Sequence, residues 1–209
     1  MPSDSPDDTL SPGRFIKELW SIAPKDWFGE FFLIRYQPTQ ENPDAKVTPT
    51  LFWTIEQVLS DWPPIEAALN RQNRTKVFNI HPCVNPRFQK PKRRGKNSDV
   101  SHYVALWIDV DFHGNDTEVR KRFLETCKIF TEAGIPPSII VESGHGLHAY
   151  WLLDKPYPSA EARPCCAGVQ DTFQISDAVH DPSRVLRMPG TVNLKDAKHP
   201  AECRVVEAT

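Results

Sequence analysis

Asp109 and Asp111 stand two residues apart at the end of an apolar run, YVALWIDVD, from Tyr103 to Asp111. Side chains two apart in a strand project to the same face. Val104 to Ile108 is apolar, so the strand should be buried and its two carboxylates should sit side by side. Such a pair repels itself and loses hydration. A divalent cation removes that cost, and Mg²⁺ prefers a few carboxylates completed by phosphate oxygens. Two ions about 4 Å apart can activate a 3′-hydroxyl and stabilise a leaving pyrophosphate. The plainer reading is a pair of exposed acids before a turn at His113-Gly114. The position at the end of an apolar strand weighs against it.

A second segment, ESGHGLHAYW, runs from Glu142 to Trp151. Its glycines, Gly144 and Gly146, permit backbone angles that bring amides close to an anion. The Ser143 hydroxyl can donate to a phosphate oxygen, and His148, opening the next strand, can donate through its ring. His145 lies on the turn and is more exposed. Together these residues suit a triphosphate held against ions on the first strand. A plain hairpin turn with a surface histidine is the alternative. A His145–His148 metal pair fits poorly, because glycines flank His145.

The third segment, ISDAVHDPSRVLRMPGTVNLK, ends at Lys195. Asp177 follows an alternating stretch, Phe173 to Ser176, which predicts a strand, and it suits a third metal ligand. Asp181 precedes Pro182-Ser183 and reads first as a helix N-cap, with a metal ligand as its second reading. Arg184 and Arg187 share a face if this turn is helical, and could clamp phosphates or contact a primer-template. Asn193 and Lys195 follow a Pro-Gly-Thr turn and could face a nucleotide or the template.

The elements that must carry these residues are short. Residues 1–10 read as a disordered tail. Helical spacing predicts a helix from Pro12 to Ile22, a second capped by Thr54 and a third after Pro63-Pro64. Strands are expected at Phe28–Tyr36 and Lys76–His81. Gln89 to Lys96, QKPKRRGK, holds five basic residues and reads as an exposed loop. With Arg87 it is the candidate for template phosphates. After the Tyr103–Asp111 strand, Asn115 or Asp116 should cap a helix burying Val119, Phe123, Leu124, Cys127 and Phe130, with Gly134 at its C′ position. Strands follow at Ser138–Val141 and Leu147–Leu153, a helix at Ser159–Gln170, and a closing strand at Arg204–Val206. Strand, helix, strand, turn, strand is half of an RRM-like sheet.

The 209 residues suffice for one large domain or two intimately packed modules. A net charge of −2 confines any nucleic-acid surface to a local patch. No apolar run approaches the roughly 18 residues of a membrane span, and the acidic N-terminus is unlike a secretion signal. A cytoplasmic protein is expected. Five cysteines without Cys-x-x-Cys spacing argue against a disulfide framework or a cysteine-only zinc site.

The three segments, in this order, resemble the archaeo-eukaryotic primase superfamily, in particular plasmid- and phage-type primase-polymerases. WIDVD matches the first motif, ESGHGLHAYW the second, and DAVHDPSRVLRMPGTVNLK the third region; the resemblance covers roughly residues 100–197. It implies an α+β fold, with an N-terminal α/β module (about 11–100) packed on an RRM-like module (about 101–209) and the site in the cleft between them. It implies that Asp109, Asp111 and Asp177 hold two Mg²⁺ or Mn²⁺ ions. It also implies that Ser143 and His148 contact the triphosphate of an NTP or dNTP; His145 stands where relatives often have a basic residue. The implied activity is template-dependent DNA primase or polymerase synthesis in replication of a plasmid, phage or other mobile element. Single-stranded template and primer are the implied partners, with a helicase domain or protein further along or separate. A metal-dependent nuclease, a non-catalytic DNA-binding module and a nucleotide-sugar transferase are the rival classes. The last does not explain the Ser-Gly-His-Gly turn or the RMPGT-N-K segment.

Overall fold

The computed structural model describes residues 11–35, 46–47, 50–112, 116–175, 180–196 and 198–208. The first helix, α1 (Pro12–Leu19), starts at a Ser11 cap with proline in its first turn and buries Phe15, Ile16 and Leu19. Strand β1 (Phe28–Arg35) is central to an antiparallel sheet. It pairs with β2 (Lys46–Val47) and β3 (Leu51–Thr54) along one edge and with β4 (Asn79–Pro82) along the other. Thr54 closes a reciprocal capping box with Gln57 at the start of α2 (Ile55–Ser60). Helix α3 (Trp62–Asn70) carries Pro63-Pro64 in its first turn rather than before it.

Strand β5 (His102–Asp111) opens the second half. It is followed by α4 (Asp116–Glu132), β6 (Ile139–Glu142), β7 (Gly146–Pro158), α5 (Ser159–Phe173) and β10 (Arg204–Ala208), with a short pair β8 (Val192–Asn193) and β9 (Ala201–Glu202) before the last. Four of these strands form one antiparallel sheet in the order β10-β6-β7-β5, and β8 and β9 pair separately. The chain order strand, helix, strand, strand, helix, strand was expected, but the sheet is not strung as an RRM sheet, in which the first strand is central. In space, the closing strand lies beside β6 and leaves β5 at an edge. That edge is met by the first half of the chain, where Asn85 Oδ1 accepts from the Val104 amide at 2.9 Å.

The alternation of β5 divides the molecule. Tyr103, Ala105 and Trp107 join one core with Phe15, Trp20, Phe31, Ile55 and Ile80 from the first half. Ile108 and Val110 face a second core with Phe123 of α4 and Phe173 of α5. Asp109 and Asp111 continue the first face, so they point towards the N-terminal elements and away from α4 and α5. Gly134 takes the expected left-handed conformation after α4, with φ +78°.

Some expectations need correction. Leu124 is exposed, and only Phe123 and Cys127 of α4 are fully buried. Phe173 does not begin a strand: it ends α5, packing against Phe123, Phe130 and Trp151. Pro182-Ser183 starts no helix. A turn closes from the Arg184 amide to the Asp181 carbonyl, and the backbone beyond it bonds to β4 instead of to itself. Val84 N donates to Arg184 O, Leu186 N to Pro82 O, and Met188 N to Ile80 O. Asp181 is therefore not a helix cap.

Candidate active site

One cavity of about 250 Å³ opens where the second sheet, β4 and the Arg184–Arg187 segment meet. Asp109 and Asp111 line it from β5, with side chains 21% and 31% exposed. The β5–β7 register sets Asp109 opposite His148 and Asp111 opposite Gly146. Gly146 is required at that position, because a Cβ there would fall 2.2 Å from the Val110 carbonyl oxygen.

The turn between β6 and β7 is closed by Ser143 N donating to Gly146 O at 2.9 Å. Gly144 holds φ +91° within it. The His145 carbonyl accepts from Phe112 N at 3.0 Å, tying the turn to the end of β5. Asn193 is buried: its Nδ2 donates to Ser143 O at 2.8 Å, and its Oδ1 accepts from Lys195 N at 3.0 Å. Asn193 thus positions both Ser143 and Lys195, and does not itself line the cavity. His145 is half-buried and does not line the cavity, and among the described residues its Nε2 has no hydrogen-bond partner.

His148 is buried, with Nε2 3.4 Å from Asp109 Oδ1 and Nδ1 3.4 Å from the Tyr150 hydroxyl. Burial and the Arg187 guanidinium push its pKa down to about 3, so the ring is neutral. His81, on β4, lines the same cavity and is also held well below the ordinary range by burial, then by Arg187 and His148. His81 escaped the sequence reading. Its only signal was a histidine alternating with the buried Ile80 in a strand of the other half.

Arg184, Arg187, Lys195 and Arg94 complete the charged lining, four cations against Asp109 and Asp111. Lys195 Nζ lies 3.8 Å from Asp111 Oδ2, and Arg94 lies over the Phe32 ring at 4.5 Å. Among the described residues, Arg184 Nε and Arg187 Nε are buried without hydrogen-bond partners. Unsatisfied buried donors beside an excess of positive charge are what an anion with several oxygens would satisfy.

Asp181 does not line the cavity; its carboxylate accepts from Arg184 Nη2 at 2.6 Å. Asp177 lies outside the described residues. No cluster of three metal-ligating side chains occurs among the described residues. Asp109 and Asp111 nevertheless fit a hard cation that takes one or two carboxylates and completes its shell with water and phosphate. Arg87 is excluded as a template contact. It is fully buried, donating through Nε to Glu30 Oε2 at 2.6 Å and through Nη2 to Ser183 O at 3.0 Å.

The fold is similar to those of a solved primase and a solved primase-polymerase. The chain superposes on the cyanophage S-2L primase-polymerase AEP domain with TM-score 0.61 at 16% identity, covering 93% of this chain and 88% of that one. Primase RepB′ gives 0.60 at 12%, covering 95% and 57%. The RepB′ catalytic domain in complex with initiator DNA gives 0.55 at 14%, covering 94% and 85%. No family model matches the chain. A replication protein of Clostridium perfringens is 29% identical over 125 residues, which are 56% of this chain and 30% of that protein's length. The chain therefore spans under a third of that curated relative. The resemblance drawn from the three motifs holds at the level of fold. Among the described residues no helix is long and apolar enough to cross a membrane.

Proposed function

We propose that the chain is a template-dependent nucleotidyltransferase, a DNA primase or polymerase acting in replication of a plasmid, phage or other mobile element. The observation that carries this reading is the single cavity on which Asp109 and Asp111 face four cations and two neutral histidines. The incoming NTP or dNTP places its triphosphate against Arg184, Arg187, Lys195 and the Ser143 hydroxyl. His148 and His81, uncharged, donate hydrogen bonds there without adding to the positive field. Asp109 and Asp111 would hold Mg²⁺ or Mn²⁺, with Asp177 as the proposed third carboxylate. Such ions, when bound, lower the pKa of an attacking 3′-hydroxyl and neutralise charge on the departing pyrophosphate.

Asn193 and the Gly144–Gly146 turn hold Ser143 in place before substrate arrives, so the alignment is set during folding. Nucleic acid is the expected partner, and the RepB′ catalytic domain has been seen with initiator DNA. Single-stranded template and primer meet the cavity here. A helicase domain or protein is the further partner, since replication needs strand separation.

A labelled primer annealed to a template, incubated with dNTPs or NTPs and Mg²⁺ or Mn²⁺, tests the proposal on a sequencing gel. Extension by the template's complement is the expected result. Shortening of the labelled strand without added nucleotide would instead identify a nuclease.

A further inference from the structure

Residues 88–96 contribute no side chain to either hydrophobic core, yet the loop is pinned at both ends. At its start, Arg87 and Phe28 exchange backbone hydrogen bonds of 2.8 and 2.9 Å, and Phe88 N donates to Asp99 O at 3.1 Å. At its end, Gly95 is buried and its amide donates to Glu30 Oε1 at 3.0 Å. A Cβ on Gly95 would fall 2.3 Å from Arg87 Nε, so the loop closes directly onto the buried Glu30–Arg87 pair. Lys96 N donates to Asp99 Oδ2 at 2.7 Å, and Asn97 Oδ1 accepts from Ser183 N and Oγ.

Between these pins the chain displays charge. Lys90, Lys92 and Arg93 are exposed, and no ion pair joins any of them to a carboxylate among the described residues. Arg94, next along, lies over Phe32 and lines the active-site cavity. Phe88, at the base of the loop, is 39% exposed. Cations held close together repel one another, and a polyanion relieves that repulsion. Cations with an exposed aromatic ring are the combination that tracks a single strand, by phosphate contact and base stacking. Pinning the loop during folding leaves little ordering to be done at binding.

We propose that residues 88–96 seat a single-stranded polynucleotide at the mouth of the cavity, with Lys90, Lys92 and Arg93 on its phosphates and Phe88 under a base. The strand's role as template rests on the function proposed above; the binding itself does not.

The test is fluorescence anisotropy of a labelled oligothymidylate with the full chain, over a series of salt concentrations. The triple variant K90Q/K92Q/R93Q should lose at least about tenfold in affinity and flatten the salt slope by about 2, three contacts at about 0.7 each. Phe88→Ala should lose roughly fivefold or more. Lys121→Gln/Lys128→Gln removes two charges from α4, on the opposite face of the second sheet, and should stay within about twofold. Unchanged affinity and slope in the triple variant, or an equal loss in the α4 control, overturns the seat. Primer extension by the wild-type chain, read in parallel, separates the two ideas. Extension with undiminished oligonucleotide binding by the triple variant discards the seat alone. Weakened binding by that variant without wild-type extension supports the seat and discards the polymerase.

Discussion

Burial has stripped the charge from both histidines on the cavity, and this sets what each can do. The positive field comes from Arg94, Arg184, Arg187 and Lys195, while His81 and His148 offer directed hydrogen bonds. A hydrogen bond to a charged group contributes about 1.5–3 kcal/mol. His148→Ala is therefore expected to weaken nucleotide binding roughly tenfold or more, while oligonucleotide affinity stays within about twofold. Titration of a fluorescent nucleotide and of a labelled oligonucleotide checks both halves, and unchanged nucleotide affinity would remove His148 from the site. His81→Ala should behave the same way. The two differ in legibility. His148 stands in a glycine-bearing turn beside a strand, a pattern visible locally. His81 acquires its place only because β4 pairs with the Arg184–Met188 segment, about 100 residues later, and no local spacing records that pairing.

At the level of elements, strands with clean alternation were readable and the segment around Arg184 was not. From Ala105 to Asp111 the strand alternates between two cores, so both its existence and the shared face of its aspartates follow from period two. Pro182-Ser183 after Asp181 offers the same local signal as a helix start. Tertiary hydrogen bonds to Ile80, Pro82 and Val84 override it, and the arginines reach the cavity from an extended segment. The basic loop was legible as a loop, but its anchor was not, since Arg87 looks from sequence like one more surface cation. Removing one partner of a buried ion pair costs about 3–5 kcal/mol, because the other charge is left desolvated. Glu30→Ala should therefore lower unfolding free energy by about that amount in urea titration and loosen the loop to proteolysis between Lys90 and Arg94. A loss under 1 kcal/mol would show that the pair is not what fixes the loop. Gly146→Ala should disturb β5–β7 pairing beside Asp111, read as lost activity with most of the stability retained.

Across the whole molecule, the larger core ignores the boundary near residue 100. Phe15 of α1 meets Tyr150 of β7 edge to face at 5.6 Å, and Trp20, Phe31, Tyr103 and Trp107 belong to one cluster. Two halves of a chain that share one core should unfold together. Thermal transitions followed by far-ultraviolet circular dichroism and by tryptophan fluorescence should coincide, and two separated transitions would contradict the shared core. The same arrangement explains why the cavity has walls from both halves: Asp109, Asp111 and Ser143 from one, His81 and Arg94 from the other. The most direct test is primer extension by the Asp109→Asn/Asp111→Asn double variant beside the wild-type chain, each with Mg²⁺ or Mn²⁺. The expected result is template-directed extension by the wild type, and none above background by a variant that retains the wild-type circular dichroism spectrum. Comparable extension by both proteins would contradict the central role given to the two carboxylates.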